Sequence, residues 1–502
     1  MAMKKRMEAS KLALRWLLGI SLGALTCFLA ISVFAVDRQL SLFYGAWTSP
    51  PTSSGGDGRE GADGSTQGVA TAAQLEDGGG GDREAISPGA DSVFQSNEKS
   101  TPEKGNAAKQ QLEQKGREKI ICDLSDRRTD VCEMAGDVRI HGDSSAIVVV
   151  GSEAGEEKAW RIKPYARKFD GSAMQHIKEV TVRSSSIGAV APACTVNQTS
   201  VPAVVFTIGG YVGNYYHDYT DVLIPLFITA RQFDGDVQFV VSTNRFWWVD
   251  KYRSILKQLS RHEIVYLDGD KEVRCHRRVI VGLRSHKPMS IDPARTPGGY
   301  SMLDFTKLMR AAYGLERDRP ARRAAEKPRL LLIPRKGTRR LTNLEEVARA
   351  AEEAGFEVVL AEAGMSTRLA DFVRVVNSCD AMLGVHGAGL TNFVYLPTGA
   401  AVVQIIPFGK LENISRSCFM GSSEDAGLRY LDYSVGAGES SLSEKYPRDD
   451  PVFTDPKSIH RLGWKKMGEV YLDHQDVKID VSRFRPLLLE AREHLRRYII
   501  EE

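Results

Sequence analysis

The sequence predicts an α/β protein in which two Rossmann-like, doubly wound halves face a cleft, preceded by one N-terminal transmembrane helix and a disordered stem. Three observations lead there. From about Lys119 onward, short apolar β-branched runs alternate with helical patterns, as parallel βαβ units require. An arginine-rich, weakly periodic stretch at Leu315–Lys327 separates a half at 119–318 from a half at 327–502. The length of 502 residues suits two average domains plus accessories.

The N-terminus supplies the accessories. Lys4, Lys5, Arg6, Lys11 and Arg15 crowd residues 1–15 against a lone Glu8, and the 21 residues from Trp16 to Val36 carry no charge. That is enough to cross about 30 Å of hydrocarbon at about 1.5 Å per residue. The positive flank keeps residues 1–15 in the cytosol and sends everything after Asp37 to the lumen. A cleaved signal peptide ending near Val33-Phe34-Ala35 is the competing reading, but its apolar core would be unusually long. Residues 37–118, with the four glycines Gly78 to Gly81, bury too little apolar surface to offset ordering entropy and read as a flexible stem.

Composition narrows the function. A net charge of +3, from 67 basic and 64 acidic residues, gives no general reason to bind nucleic acid. With 42% hydrophobic residues, wholesale disorder is excluded. Six cysteines follow the anchor, Cys122, Cys132, Cys194, Cys275, Cys379 and Cys418; an oxidising compartment permits bridges, and spacing does not choose among their pairings. No C-x-x-C pair is present, which disfavours thioredoxin chemistry and a zinc knuckle. Asn197-Gln-Thr199 and Asn413-Ile-Ser415 are glycan acceptor sequons.

In the first half, strands are expected at Ala146–Val150, Val201–Ile208, Val237–Val241 and Val279–Val281. Helices are expected at Asp221–Ala230, kinked by Pro225, and at Lys251–Leu259. In the second half Arg329–Ile333 is a strand, Thr342 with Glu345 opens a helix that Gly355 closes, and Glu357–Leu360 is a strand. Ser366 caps a helix to about Asn377. The strand Ala381–Val385, a short helix and the strand Ala401–Ile406 follow, and a helix from Ser482 to about Ile500 ends the chain.

Ligands of such sheets bind beyond the carboxyl ends of the strands, and three loops there hold reactive residues. Gly209 to Asp221 contains Asn214, Tyr215, His217, Asp218 and Asp221; His217 and Asp221 share a helical face, so the carboxylate can orient an imidazole base. The plain alternative is that the two aspartates only complement the helix N-terminus. Pro334 to Arg340 holds Arg335, Lys336, Arg339 and Arg340 beside Gly337, a set able to grip a diphosphate or merely to form a solvated turn. His386-Gly387-Ala388-Gly389-Leu390-Thr391-Asn392 lets backbone N–H groups approach an anion at a helix start, although a tight β–α turn has the same sequence. Asp234-Gly235-Asp236 and Asp268-Gly269-Asp270 read as turns before they read as metal ligands.

Together these blocks resemble glycosyltransferase family 61, particularly its plant members. The resemblance runs from about Lys119 to the C-terminus and rests on Cys122-Asp123, Arg127, Asp130, Cys132, Gly136-Asp137-Val138-Arg139, Lys163-Pro164-Tyr165-Ala166-Arg167-Lys168, Asn214 to Asp218, Pro334 to Arg339, and His386 to Asn392. It implies a GT-B enzyme held in the Golgi membrane as a single-pass type II protein, with a UDP-sugar donor and inversion at the anomeric carbon. For the branch most resembled it implies a xylan acceptor and transfer of arabinofuranose (α-1,3) or xylose (β-1,2) from UDP-arabinofuranose or UDP-xylose in cell-wall synthesis. On that footing Arg335, Lys336, Arg339, Arg340, His386, Gly387, Gly389 and Asn392 bind the donor. His217 is the base, with Asp218 its runner-up and Asp221 its orienting partner, and Asn214 and Tyr215 lie on the acceptor side. No cofactor is required and a divalent metal is not expected. A complex with other xylan-synthesising transferases is compatible with this reading. So are a non-catalytic glycan-binding or scaffold subunit and a member acting on N-glycans. A nicotinamide oxidoreductase is disfavoured, because the full glycine fingerprint is missing.

Overall fold

The computed structural model describes residues 119–500, apart from 153–157, 187–190, 321–326 and 365–366. The expected anchor at 16–36, its cytosolic flank, the stem and Ser366 lie outside the described residues. Among the described residues, no helix is long and apolar enough to cross a membrane.

Ten strands form the first sheet: β1 (Lys119–Asp123), β2 (Val131–His141), β3 (Ala146–Ser152), β4 (Ala159–Ile162), β5 (Val180–Ser186), β6 (Val196–Asn197), β7 (Ala203–Thr207), β8 (Gln238–Ser242), β9 (Val265–Tyr266) and β10 (Val273–Val281). Their order is β4-β5-β3-β2-β10-β7-β8-β9, with β1 on β2 and β6 on β10. The expected doubly wound parallel sheet is corrected here. β10, β7, β8 and β9 are parallel, but β2 runs antiparallel to β1, β3 and β10. Four residues join β2 to β3, far too few for a parallel crossover, so the two must form a hairpin. β2 largely alternates buried and less buried positions where a buried parallel strand would be uniformly apolar, so it carries no parallel-strand pattern in the sequence.

Two disulfides hold this sheet. Cys122 and Cys132 face each other in the β1–β2 register and are bonded, and Cys194 is bonded to Cys275 of β10. Cys379 and Cys418 are free.

After β7 the chain enters helix α1, built from Tyr215–His217, a π-helical stretch Asp218–Leu223, and Ile224–Ala230. The helix thus begins six residues before the expected start, capped by Asn214. The expected Lys251–Leu259 helix is instead α2 (Phe246–Lys251) and α3 (Arg253–Leu259), broken at the fully buried Tyr252. Helix α4 (Met302–Ala312) leads out of the first half.

The second sheet is parallel throughout: β11 (Arg329–Ile333), β12 (Glu357–Leu360), β13 (Ala381–Val385), β14 (Ala401–Ile406) and β15 (Arg429–Ser434), in the order β12-β11-β13-β14-β15. Helices α5 (Leu344–Glu353) and α8 (Val481–Ile500) cover one face; α6 (Leu369–Asn377) and α7 (Glu412–Asp425) cover the other. Successive β11 residues divide accordingly: Leu330 and Leu332 pack with α5 and α8, Leu331 and Ile333 with the opposite layer. That opposite layer is continuous with Phe206, Phe239 and α1, so one apolar cluster spans both sheets. The cap of α5 is Asn343 rather than Thr342. Its side chain is taken by the backbone of Ile479, while the Thr342 hydroxyl donates to the Val477 carbonyl. Helix α6 starts at Leu369 after Arg368.

Candidate active site

The loop between β7 and α1 turns at Gly210, whose φ of +57° suits glycine. A Cβ there would also lie 2.6 Å from the Tyr165 ring. This close approach lets Tyr165 reach beneath the helix start. Its hydroxyl donates to Asp221 Oδ2 at 2.9 Å, and Arg167 Nη1 donates to Asp221 Oδ1 at 3.4 Å. Asp221 is fully buried, and His217 Nδ1 lies 2.9 Å from its Oδ2. A carboxylate on Nδ1 fixes the proton there and leaves Nε2 as the basic atom. Burial and the charge of Asp221 push the Tyr165 phenol well up, so it stays a hydrogen-bond donor. The segment Lys163–Lys168 belongs to the family resemblance, but nothing in its residue types reveals that Tyr165 and Arg167 complete the dyad.

Asp218 has a different task. Fully buried, it accepts from Gly213 N (2.8 Å), Trp248 Nε1 (2.9 Å) and Tyr252 Oη (2.7 Å), with Lys251 Nζ at 3.5 Å. A carboxylate so occupied clamps α1 to the loop before it and to the α2–α3 junction, so that, unlike that of Asp221, it has no contact with the His217 imidazole among the described residues. Asn214 likewise caps α1, its side chain accepting from Tyr216 N at 3.1 Å.

On the second sheet β11 and β13 are neighbours whose connections leave in opposite directions, so their carboxyl ends form the topological switch point. The Arg335 loop follows one and the His386 loop the other. Arg335 (φ +38°) and Arg339 (φ +57°) both hold left-handed backbone conformations, which cost energy at non-glycine residues and cluster at ligand sites. Arg335 Nε donates to the Thr338 carbonyl at 2.9 Å and Arg339 Nη1 to the His386 carbonyl at 3.0 Å. Gly387 has φ +151°, and a Cβ on it would collide with Arg335 Nη1. Neither guanidinium forms an ion pair among the described residues, and Arg339 Nε is buried without a partner. Burial, then the neighbouring Arg335, pushes Arg339 down to about 9. Burial, then Arg339 and Arg335, pushes His386 down to about 3. Gln404 Nε2 lies 3.1 Å from His386 Nδ1, which leaves the proton of this neutral ring on Nε2. Two partly buried cations without an ion-pair partner among the described residues, on which only the more distant carboxylates of Glu362 and Asp473 act, stand with a neutral N–H donor as a set able to receive an anion.

The other expected donor ligands diverge. Arg340 turns away to Asp476, with contacts of 2.9 and 2.6 Å, and Lys336 is exposed with its backbone N–H on Glu362. Asn392 donates to the Gly389 carbonyl (2.8 Å) and accepts from Tyr215 Oη (2.9 Å), so the two residues join the two loops. The rings of His217, Tyr216, Phe419 and His386 follow one another at centroid spacings of 5.4, 5.6 and 5.8 Å, bringing the dyad and the anion site into one locality.

Among the described residues, the group of ligand atoms close enough for a metal is Asp137 with Cys194 and Cys275, whose sulfurs are already joined. Gly235 and Gly269 occupy turns at φ +82° and +83°, and the flanking aspartates are engaged by protein donors such as His262, Lys178 and Arg274.

Residues 215–403 match the profile described as Glycosyltransferase 61. The rice (Oryza sativa subsp. japonica) protein named Beta-1,2-xylosyltransferase XYXT1 is 45% identical over 398 residues, covering 75% of this chain and 84% of that protein. This chain belongs to glycosyltransferase family 61. Among other family 61 relatives, rice Alpha-1,3-arabinosyltransferase XAT3 is 47% identical over 381 residues, 75% of this chain and 66% of that protein. The Arabidopsis thaliana Xylan glycosyltransferase MUCI21 is 36% identical over 74% of this chain and 79% of its own length. The chain thus spans slightly less than two thirds of the arabinosyltransferase. The family profile begins at Tyr215 and so takes in both His217 and the Arg335 and His386 loops.

Proposed function

We propose that this family 61 chain transfers a pentose from a UDP-sugar to xylan, with inversion, in a GT-B arrangement. The observation behind this reading is the pair Arg335 and Arg339, which have no carboxylate partner at the switch point of a parallel sheet near the His217–Asp221 dyad. A diphosphate supplies the missing charge, and the two guanidiniums with the His386 Nε2–H neutralise what develops on departing UDP. His217 Nε2 takes the proton of the acceptor hydroxyl as its oxygen attacks the anomeric carbon from the face opposite UDP. One displacement inverts that carbon. These protein cations do the work for which other transferases use a metal.

The relatives' names support arabinofuranose (α-1,3) or xylose (β-1,2) as the pentose and xylan as the acceptor. The uncharged segment at 16–36 with its basic flank supports a type II protein of the Golgi membrane, its stem and head in the lumen beside other xylan-synthesising transferases. There Asn197, exposed beside Cys194, takes a glycan. So does Asn413, before its helix closes and buries the Ser415 hydroxyl.

Full-length protein incubated with a panel of UDP-sugars and xylo-oligosaccharides, followed by linkage analysis, tests the reading. A pentosylated product with UDP release is expected. Absence of product with every donor, despite UDP binding, would instead favour a non-catalytic subunit.

A further inference from the structure

The ring of Phe169 is 46% exposed and lies beneath three guanidiniums, those of Arg127, Arg128 and Arg167, at 5.9, 5.5 and 5.3 Å from its centroid. Three like charges on one ring repel unless an anion is near. Arg167 is compensated by Asp170 (2.9 Å) and Asp221 (3.4 Å). Arg127 and Arg128 form no ion pair among the described residues, although the more distant charges of Asp221 and Asp126 act on Arg128. Arg128 Nε donates to Ser285 Oγ at 2.9 Å, and its Nη2 is buried without a partner.

This cluster is held in place. Arg127 and Arg128 sit in the loop between β1 and β2, closed at its base by the Cys122–Cys132 bond. Lys168 ties that loop to the strand-end segment below it: its Nζ reaches the Leu124 carbonyl (2.6 Å) and Asp130 (2.7 Å), and its N–H reaches the Arg128 carbonyl (2.8 Å). The cluster also adjoins the dyad, since Arg167 bonds Asp221 and stands 5.5 Å over the Tyr211 ring, whose centroid is 4.8 Å from that of His217.

We propose that Phe169, Arg127 and Arg128 form an acceptor subsite for a sugar acid. The C–H face of its pyranose ring stacks on Phe169, and its carboxylate is held by the guanidiniums. The proposal rests on the acceptor reading above and adds to it a preference for an acidic polysaccharide. The guanidiniums of Arg127 and Arg128, which have no carboxylate in direct contact among the described residues, distinguish the subsite from a neutral stacking platform, for which an aromatic ring alone would serve. The donor's phosphates have their own cations at Arg335 and Arg339.

The test uses full-length protein and two matched probes: a xylo-oligosaccharide bearing one glucuronic acid branch, and the same compound with that carboxyl reduced to the alcohol. At low salt the acid should bind about tenfold more tightly, with the advantage kept at saturating UDP. In Arg127→Gln, whose side chain is exposed, and in Arg128→Gln, the two dissociation constants should converge to within about twofold. Equal binding of both probes by the wild type overturns the subsite while leaving transfer to xylan intact. Persistence of the gap in both variants overturns it too, as does loss of the gap once UDP is bound, which would assign these cations to the donor. If neither probe binds while UDP does, the acceptor reading fails and the subsite with it.

Discussion

Tyr215 Oη donates to Asn392 Oδ1 across 2.9 Å, joining the helix that bears the candidate base to the loop after β13. The same hydroxyl lies 3.3 Å from that of Tyr219, which in turn contacts the Tyr395 hydroxyl. The positions of the two halves are thus coupled through phenols, which burial keeps protonated. Tyr215→Phe should leave Asn392 Oδ1 buried and unpaired. A loss of about 1–3 kcal/mol in unfolding free energy is expected, seen as a lower Tm in thermal denaturation. An unchanged Tm would show that the bond does not hold the halves.

The four cations of the Pro334–Arg340 segment should separate in function. Arg335→Ala and Arg339→Ala are each expected to weaken UDP binding by about tenfold or more, since each removes a charge-assisted donor from the switch point. Arg340→Ala, which breaks a surface contact with Asp476, should change the UDP dissociation constant by less than about twofold. Calorimetric titration with UDP reads all three, and equal effects at Arg339 and Arg340 would count against the assignment.

Among the acidic and basic groups of α1, chemistry and architecture should part in the same way. His217→Ala should lower turnover by about 10²–10⁴ or more while UDP affinity is kept, because it removes the proton acceptor alone. Asp221→Asn should reduce turnover through the wrong imidazole tautomer. Asp218→Ala, by contrast, strands the donors of Trp248 and Tyr252 and should reduce stability, with a lower urea midpoint as its signature. Full turnover in His217→Ala would remove the proposed base.

Acid should destabilise the fold through its buried histidines. His386 is pushed from its ordinary 6.5 to about 3 by burial, then by the two guanidiniums, and His286 to about 4 by burial, then by Arg295. Below pH 6.5 the unfolded chain binds these protons while the folded chain does not, so the unfolded state is favoured as pH falls. The stability they contribute is therefore present above pH 6.5 and is lost progressively toward pH 3 to 4. Urea unfolding of wild type and His386→Gln between pH 7 and 4 should show a shallower pH slope in the variant. Equal slopes would mean that His386 is protonated in the folded protein.

The sequence by itself determined the second half almost strand by strand. Leu330 to Ile333, Ala381 to Val385 and, but for Gln404, Ala401 to Ile406 are short apolar runs between helical patterns, as strands covered on both faces are. It also determined that the His217, Arg335 and His386 loops lie at strand ends, because that follows from local order along the chain. The tertiary structure decided the rest, through pairings between residues remote in sequence. The antiparallel placement of β2 beside β10, the bond of Cys194 to Cys275, and the claim of Asp476 on Arg340 from 136 residues away leave no local trace. Whether a charged side chain faces ligand or another part of the protein depends on which counter-charge folding brings to it. Arg335 and Arg339 form no ion pair among the described residues, Arg340 does, and nothing in Arg-Lys-Gly-Thr-Arg-Arg distinguishes them before the chain has folded.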